Sequence, residues 1–212
     1  MFLTFEGLDA SGKTTQAQIL VDALRTRGTA AVRFIREPGG TVISERLREI
    51  LLDRRNLALS DLAELFLFSA SRAQLVREVI APALARGETV VCDRFADSTT
   101  AYQGYGRGLD LGAIGMVNEL ATSRTVPDLT VLVDIPVEEI VRRRTAAGVS
   151  ADRMEGGGRE FFERVRQGYM AIARAHPERV VVVDGRRSIG LIAEEILRAV
   201  EERQGQLHRE EH

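Results

Sequence analysis

The feature that most constrains the fold of this chain is the octapeptide GLDASGKT, which occupies residues 7–14 and is separated by one residue from the largely apolar run Phe2–Phe5. Two glycines separated by four residues and followed by Lys13 and Thr14 form the pattern of a phosphate-binding loop between a strand and a helix. Glycine lets the backbone turn its N–H groups toward an anion, lysine adds a mobile positive charge, and threonine offers a hydroxyl to Mg²⁺. The pattern predicts that nucleotide phosphates are bound by Gly7, Leu8, Asp9, Ala10, Ser11, Gly12, Lys13, Thr14 and Thr15.

Lysine use in the rest of the chain supports this interpretation. The sequence contains 29 lysine and arginine residues, and Lys13 is the one lysine among them. A compact ammonium acts on phosphate oxygens as a mobile point charge, which the planar guanidinium of arginine does not replace. The single lysine therefore stands where this chemistry requires it.

Composition excludes several other kinds of protein. The formal net charge of −2 argues against a general nucleic-acid-binding protein, which usually carries a surplus of basic residues. The longest apolar runs have the length of strands, so we expect a cytoplasmic protein without a membrane span. The one cysteine, Cys92, cannot form an internal disulfide and fits a reducing compartment. We expect one domain over residues 1–204 and a frayed polar tail over residues 205–212.

Strand-like and helix-like segments alternate along the chain. This alternation predicts an α/β fold of three layers, the P-loop NTPase fold, with a five-stranded parallel sheet and helices on both faces. The predicted strands are residues 2–5, 30–35, 89–92, 129–134 and 179–184.

Local signals predict several helix boundaries and one mobile segment. Ser60 is the expected N-cap of a long helix over residues 61–85 that is kinked at Pro82. Asp97 or Ser98 is expected to cap the helix that follows the third strand. Residues 145–158 are rich in glycine and lack apolar periodicity, which predicts a mobile lid.

Three classes of protein use such a phosphate-binding loop: GTPase switches, mechanical or transport ATPases, and kinases of small molecules. A GTPase reads guanine through an Asn-Lys-x-Asp motif, which this chain cannot contain because Lys13 is already used. The ATPases usually end a strand with Asp-Glu, whereas the third strand here ends with Asp93 and Arg94. That pair offers a carboxylate for Mg²⁺ and a cation, without an acid to activate water. Arginines in loops at the carboxyl edge of the sheet favour a kinase with a second anion site.

Five segments extend the pattern over most of the chain: FEGLDASGKTTQ from Phe5, REPGGT from Arg36, LFSASR from Leu67, DRFADSTTAYQG from Asp93 and DRMEGG from Asp152. Together they resemble the thymidylate kinase family from Phe5 to about Ile196, and the segment from Asp93 is the most specific. The resemblance implies transfer of the γ-phosphoryl group of ATP to dTMP with Mg²⁺, and a homodimer. A related kinase of another nucleoside monophosphate or of a deoxynucleoside stays the alternative.

The resemblance also implies how dTMP is bound. Phe68 stacks on thymine, and Arg72, four residues further along the same helix, donates to its exocyclic oxygen. Gln103 and Thr99 read the remaining base edge, and Tyr102 packs below the sugar. Asp9 accepts from the 3′-hydroxyl, and three arginines surround the phosphate. The complete expected set is Asp9, Arg36, Glu37, Pro38, Arg48, Phe68, Arg72, Arg94, Ser98, Thr99, Tyr102 and Gln103.

The donor side and the catalytic groups follow from the same resemblance. Arg143, Arg144, Gly185 and Arg186 are expected to flank the adenine of ATP, while Thr14 and Asp93 hold Mg²⁺. The expected catalytic cations are Lys13, Arg94 and Arg153.

The assignment of Arg153 depends on one departure within the family. Ala10 stands where some family members carry a catalytic arginine, and the bacterial type supplies it from the lid instead, here Arg153. Arg143 or Arg144 would take this role if Arg153 did not. No general base is expected, because the attacking phosphate oxygen is already anionic.

Overall fold

The computed structural model describes residues 1–29, 31–147 and 158–210. Within these ranges it contains one five-stranded sheet in the order β2-β3-β1-β4-β5, with every pair of neighbours parallel. The strands are β1 (Phe2–Glu6), β2 (Val32–Arg36), β3 (Thr89–Asp93), β4 (Leu129–Asp134) and β5 (Val180–Asp184). The predicted fold class is confirmed, although β2 is shifted toward its carboxyl end, so that Arg36 ends the strand and does not start the loop.

The described helices connect the strands and cover both faces of the sheet. They are α1 (Lys13–Thr26), α2 (Val42–Leu52), α3 (Asp61–Leu75), α4 (Ala81–Ala85), α5 (Ala96–Thr99), α6 (Leu111–Thr122), α7 (Val137–Ala147), α8 (Gly158–Ala175) and α9 (Ile189–Glu210). Two π-helical segments join them: the first, Val76–Ile80, links α3 to α4, and the second, Thr100–Gly106, continues α5. None of the described helices combines the length and the apolarity needed to cross a membrane.

Alternate residues of the strands pack into different layers. Leu3 and Phe5 lie in one core cluster with side chains of α1 and α9. Phe2 lies in another cluster, with Leu75 and the first π segment, on the opposite face of the sheet. β1 is buried along its whole length, as is typical of a parallel strand with helices on both sides.

Strand register brings the motifs together at one edge. Phe5 is paired with Asp93 on one side and with Val131 on the other. The loop after β1 and the Asp93-Arg94 pair at the end of β3 therefore meet at the carboxyl edge, where ligands bind in open α/β sheets.

The long helix over residues 61–85 exists, and a π-helical segment interrupts it before Pro82, while the kink at Pro82 stays a prediction. Ser60 accepts from the N–H of Ala63 and caps α3, as predicted. The first π segment then precedes Pro82, and the N–H of Ala81 bonds to the carbonyl of Val76, five residues back. Proline has no N–H and its ring crowds the carbonyl four residues earlier, so the wider π turn relieves the conflict.

Two other expectations were wrong. Asp97 and Ser98 do not cap the helix after β3: the N-cap position is Phe95, without a side-chain cap. The buried carboxylate of Glu6 accepts from the backbone N–H groups of Phe95 and Ser98, so a tertiary contact replaces the local cap. The polar tail is not frayed up to Glu210, because α9 continues that far. The division into a domain over residues 1–204 and a separate tail stays a prediction.

Candidate active site

The phosphate-binding loop owes its shape to the residues that the pattern requires. Gly12 is the N-cap of α1 and has a left-handed backbone with a φ of 97°, which glycine adopts without strain. Gly7 has a φ of 137°, and a Cβ at this position would lie 2.5 Å from the carbonyl oxygen of Val133. Ala10, at the tip of the loop, also has a positive φ of 62°. The N-terminus of α1 therefore follows a loop whose glycines leave the backbone N–H groups accessible, an arrangement suited to binding phosphate.

Asp9 joins this loop to the cation that follows β3, Arg94. Arg94 Nη2 donates to Asp9 Oδ1 over 2.6 Å, and Lys13 Nζ lies 3.5 Å from the same oxygen. The hydroxyl of Tyr102 donates to the other oxygen of Asp9 over 3.2 Å. Burial opposes ionisation of Asp9, but the charges of Arg94 and Lys13 outweigh it and hold its pKa below the ordinary value. Burial and the neighbouring Arg94 lower the pKa of Lys13.

Thr14 and Asp93 form a pair that fits a divalent cation. The hydroxyl of Thr14 donates to Asp93 Oδ2, and Asp93 Oδ1 is a buried oxygen without a hydrogen-bond partner in the described structure. Among the described residues there is no cluster of three or more side chains of metal-binding type. Mg²⁺ in nucleotide sites commonly takes one or two protein ligands and completes its shell with phosphate and water, and the chemistry of this pair fits such a site.

Arg143 connects three elements on the donor side. Its Nη1 donates to the carbonyls of Ala10 and Ser11, over 3.3 and 3.2 Å, and its Nη2 donates to the carbonyl of Gly185 over 2.8 Å. Its Nε is held by Glu139 on the same helix over 2.7 Å. Arg143 thus fixes the phosphate-binding loop against the loop after β5.

The other two arginines predicted on the donor side are arranged differently. Arg144 follows Arg143 on α7 and is partly buried. Arg186 is exposed and pairs with Asp184 through Nε and Nη2. Contact of either residue with adenine stays a prediction.

A cleft that is open to solvent lies next to the loop. Its lining contains every predicted dTMP-binding residue except Arg36, and it adds Leu52, which sequence reasoning missed. The lining residues are Asp9, Glu37, Pro38, Arg48, Leu52, Phe68, Arg72, Arg94, Ser98, Thr99, Tyr102 and Gln103. The guanidinium of Arg36 bonds to Glu45 on α2 and to the carbonyl of Pro38. The roles of these residues toward a ligand stay predictions.

Arg72 is held much more tightly than the sequence indicates. Its Nε and Nη2 both lie 2.8 Å from Glu37 Oε2. Nη1 donates to Thr99 Oγ1 and to Asn118 Oδ1, and Nη2 also donates to the carbonyl of Phe95. Hydrogen bonds to protein acceptors thus engage the Nε–H group, both Nη1–H groups and one Nη2–H group of the guanidinium, while the contact of Nη2 with Glu37 is an ion pair.

A buried network behind Arg94 was not predicted. Arg94 Nη1 donates to Ser98 Oγ over 3.1 Å and to the hydroxyl of Tyr169 over 3.0 Å. Both hydroxyls also contact Glu6 Oε2, at 2.5 and 2.9 Å, and they lie 2.8 Å from each other. Ser98, Tyr169 and Glu6 thus form three oxygen–oxygen contacts, and each contact needs one proton to be a hydrogen bond. The two hydroxyl groups supply two protons, and Glu6 supplies the third only when its carboxyl group is neutral. Burial, followed by the charge of Asp97, raises the pKa of Glu6 to about 7, in agreement with this proton count.

Of the residues near the site that the sequence analysis did not predict, only some carry a signal in the sequence. Glu6 is a carboxylate at the end of an otherwise uncharged buried strand, and a buried charged residue is an unusual feature that the sequence analysis could have singled out. Asn118 and Tyr169 reach the site from α6 and α8 through tertiary packing, and no local pattern marks them. Arg153 and most of the predicted lid, residues 145–158, lie outside the described residues, so the lid and the catalytic role of Arg153 stay predictions.

Asp9 belongs both to the phosphate-binding loop and to the lining of the adjoining cleft. Together with the parallel sheet, this arrangement defines a nucleotide kinase of the P-loop NTPase class. The family model for thymidylate kinase matches residues 5–196. A thymidylate kinase of Geobacter sp. (strain M21) is 51% identical over 205 residues, which cover 93% of this chain and 91% of the relative. One of Caldanaerobacter subterraneus subsp. tengcongensis is 46% identical over 201 residues, with 95% of each chain covered.

A solved structure agrees with these sequence relatives. The crystal structure of thymidylate kinase from Ehrlichia chaffeensis superposes with a TM-score of 0.77 at 35% identity and covers 95% of this chain and 98% of its own. The chain belongs to the thymidylate kinase family.

Proposed function

We propose that this protein transfers the γ-phosphoryl group of ATP to dTMP and so produces dTDP. The observation that supports this most directly is the cleft that adjoins the phosphate-binding loop at Asp9. Phe68, Arg72 and Arg94 all line this cleft. A monophosphate whose base contacts Phe68 has its phosphate next to Lys13 and Arg94, where the donor phosphates arrive.

The chemistry requires positioning and charge stabilisation. The attacking oxygen belongs to an anionic phosphate, so the reaction needs no general base from the protein. Lys13 and Arg94 supply positive charge to phosphate groups that would otherwise repel each other, and they do so in a partly enclosed site. Mg²⁺ belongs to the proposal as the partner of ATP: Thr14 and Asp93 would hold it, and it would neutralise charge on the donor phosphates.

A homodimer also belongs to the proposal. α3 packs against both α2 and α6, and each of these helices exposes large apolar side chains. They are Val42, Ile43, Ile50, Leu62, Phe66, Leu111, Met116 and Leu120. Exposed apolar side chains on three adjoining helices support an interface between protein chains. We further infer a cytoplasmic location, because ATP is the donor and Cys92 is a buried free thiol.

The test is a coupled assay of ADP release with MgATP and each of dTMP, dUMP, dCMP, dGMP and dAMP. We expect dTMP to give the highest kcat/KM, and a preference for another monophosphate would overturn the proposed substrate. Lys13→Ala should reduce kcat to less than about a tenth, because a phosphate-clamping charge contributes several kcal/mol to transition-state stabilisation. Equal activity of this variant would refute the role of the loop in transfer.

A further inference from the structure

The amide of Gln103 lines the cleft, and its orientation decides which base edge it can bind. An amide offers a donor at Nε2 and an acceptor at Oε1. Thymine carries a hydrogen-bond donor at N3, whereas cytosine carries an acceptor there. The two orientations of Gln103 therefore favour different bases.

Glu64 fixes this orientation from behind the cleft. Gln103 Nε2 donates to Glu64 Oε1 over 2.8 Å. Glu64 also contacts Arg107, whose Nε and Nη2 lie 3.3 Å from its two oxygens. An ion-paired carboxylate can only accept hydrogen bonds, so it is the nitrogen of the Gln103 amide that must face Glu64.

Arg107 keeps the charge of Glu64 balanced. Its guanidinium also contacts Asp61 Oδ1 at 3.4 Å and lies 4.9 Å from the ring centroid of Phe161. The side chain of Glu64 is fully buried, while that of Arg107 is 20% exposed. Because Glu64 is buried and paired with an arginine that stacks on Phe161, its carboxylate does not reorient easily, and it holds the amide of Gln103 in one orientation.

The oxygen of the Gln103 amide is then turned away from Glu64. Within the described part of the chain, Gln103 Oε1 has no hydrogen-bond partner. It does not belong to the set of solvent-inaccessible polar atoms without a partner. It therefore borders accessible space, and Gln103 lines the cleft. Glu64 itself does not line the cleft; it precedes Phe68 by four residues and Arg72 by eight on α3, and so shares their helix face.

We propose that Glu64 is a specificity-determining positioning residue: it orients Gln103 so that Oε1 accepts from the N3–H group of thymine and repels the N3 lone pair of cytosine. Glu64 touches no substrate atom and acts through Gln103. The inference rests on the proposed function, because it takes a thymine nucleotide as the acceptor.

The test compares kcat/KM for dTMP with that for 5-methyl-dCMP, which has the same shape and the opposite base edge. Glu64→Leu removes the carboxylate, so that the amide of Gln103 can turn either way. We expect the ratio of the two kcat/KM values to fall by about tenfold or more. The KM for ATP should not change. Asp61→Asn is the matched control, because it removes a contact to Arg107 that does not reach Gln103, and it should leave the ratio unchanged.

A double-mutant cycle separates this mechanism from general damage to the fold. Gln103→Leu alone should lower the ratio, and adding Glu64→Leu to it should lower the ratio no further. An unchanged ratio in Glu64→Leu, or an equal loss in the background of Gln103→Leu, would overturn the proposal. If Glu64→Leu does not fold, Glu64→Gln replaces it, since one amide oxygen must then serve both Arg107 and Gln103, and the same ratio should fall. Activity of the wild-type protein on dTMP tests the proposed function separately.

Discussion

Arg72 has a structural role that the sequence did not predict. The family resemblance predicts a donor for the base at this position, and the structure adds that the guanidinium neutralises Glu37 inside the protein. Both side chains are nearly inaccessible, at 2% and 4% exposure, and Glu37 Oε1 is buried without a hydrogen-bond partner in the described structure. Burial raises the pKa of Glu37 although Arg72 opposes this. The arginine is therefore a structural element of the cleft as well as a candidate ligand-binding group.

We expect Arg72→Ala to lower the free energy of unfolding by about 3–5 kcal/mol, because it leaves a buried carboxylate without its partner. Urea denaturation at pH 7 measures this change. Adding Glu37→Gln should recover part of the loss, since no charge then remains buried. Arg55→Ala is the control: Arg55 is 90% exposed beside Asp53, and its loss should have little effect. A loss below about 1 kcal/mol for Arg72→Ala would contradict the proposed support of the cleft.

Glu6 predicts a pH dependence of stability. Its pKa in the folded protein is raised to about 7 from an ordinary value near 4.5, so the folded state binds its proton more tightly than the unfolded state. The resulting stabilisation is fully present below the ordinary pKa and is lost as the pH rises through 7. For a shift of this size the loss amounts to about 3 kcal/mol.

The measurement is urea unfolding of the wild type and of Glu6→Gln at pH 5, 6, 7 and 8. Glutamine is neutral throughout and cannot titrate, so the free energy of unfolding of the wild type should fall relative to the variant as the pH rises. Arg94, Asp97 and Tyr169 face Glu6 in both proteins, and their contributions largely cancel in the difference. Parallel curves for the two proteins would show that Glu6 is ionised in the folded state over this range.

At the scale of elements, α7 supports the donor site through Arg143. Arg143 bonds to carbonyls of the phosphate-binding loop and of the loop after β5. Arg142 precedes it on the same helix and contacts Glu139 at the surface, with 77% of its side chain exposed. Two neighbouring arginines therefore differ in whether they reach the site.

We expect Arg143→Ala to raise the KM for ATP by about tenfold, because three backbone contacts that order the loop are lost, while the KM for dTMP changes little. Steady-state kinetics with each substrate varied in turn give both constants. Arg142→Ala is the matched control and should be close to the wild type. Similar values for the two variants would mean that α7 does not order the donor site through Arg143.

At the scale of the whole molecule, many of the exposed large apolar side chains lie on α2, α3 and α6, of which α3 packs against the other two. Phe66 on α3 is 53% exposed and Leu120 on α6 is 80% exposed. α3 also carries Phe68 and Arg72, so the proposed dimer would pack behind the cleft and restrain the helix that lines it.

Phe66→Asp should convert the proposed dimer into a monomer, because it places a charge among apolar contacts. Sedimentation velocity would show a species of half the mass. Leu191→Asp, at a residue of α9 that is 49% exposed, is the control and should leave the mass unchanged. A wild-type protein that sediments as a monomer at micromolar concentration would refute the homodimer.

The sequence by itself determined the parts that depend on local chemistry and spacing. The phosphate-binding loop, the strand–helix alternation and the shared helix face of Phe68 and Arg72 are set by glycine conformation, hydrophobic period and helical geometry. Most of the residues predicted to bind dTMP also line one cleft, because the carboxyl ends of parallel strands meet at the same edge.

Only the tertiary structure decided how these groups are held. Glu6 replaces the local cap expected at Asp97 or Ser98, because four donors from distant segments converge on its carboxylate. Glu64 meets Gln103 across 39 positions of the chain, and Asn118 meets Arg72 across 46. Such partners are chosen by the packing of whole elements, whereas local sequence patterns record only propensities and spacings within one element.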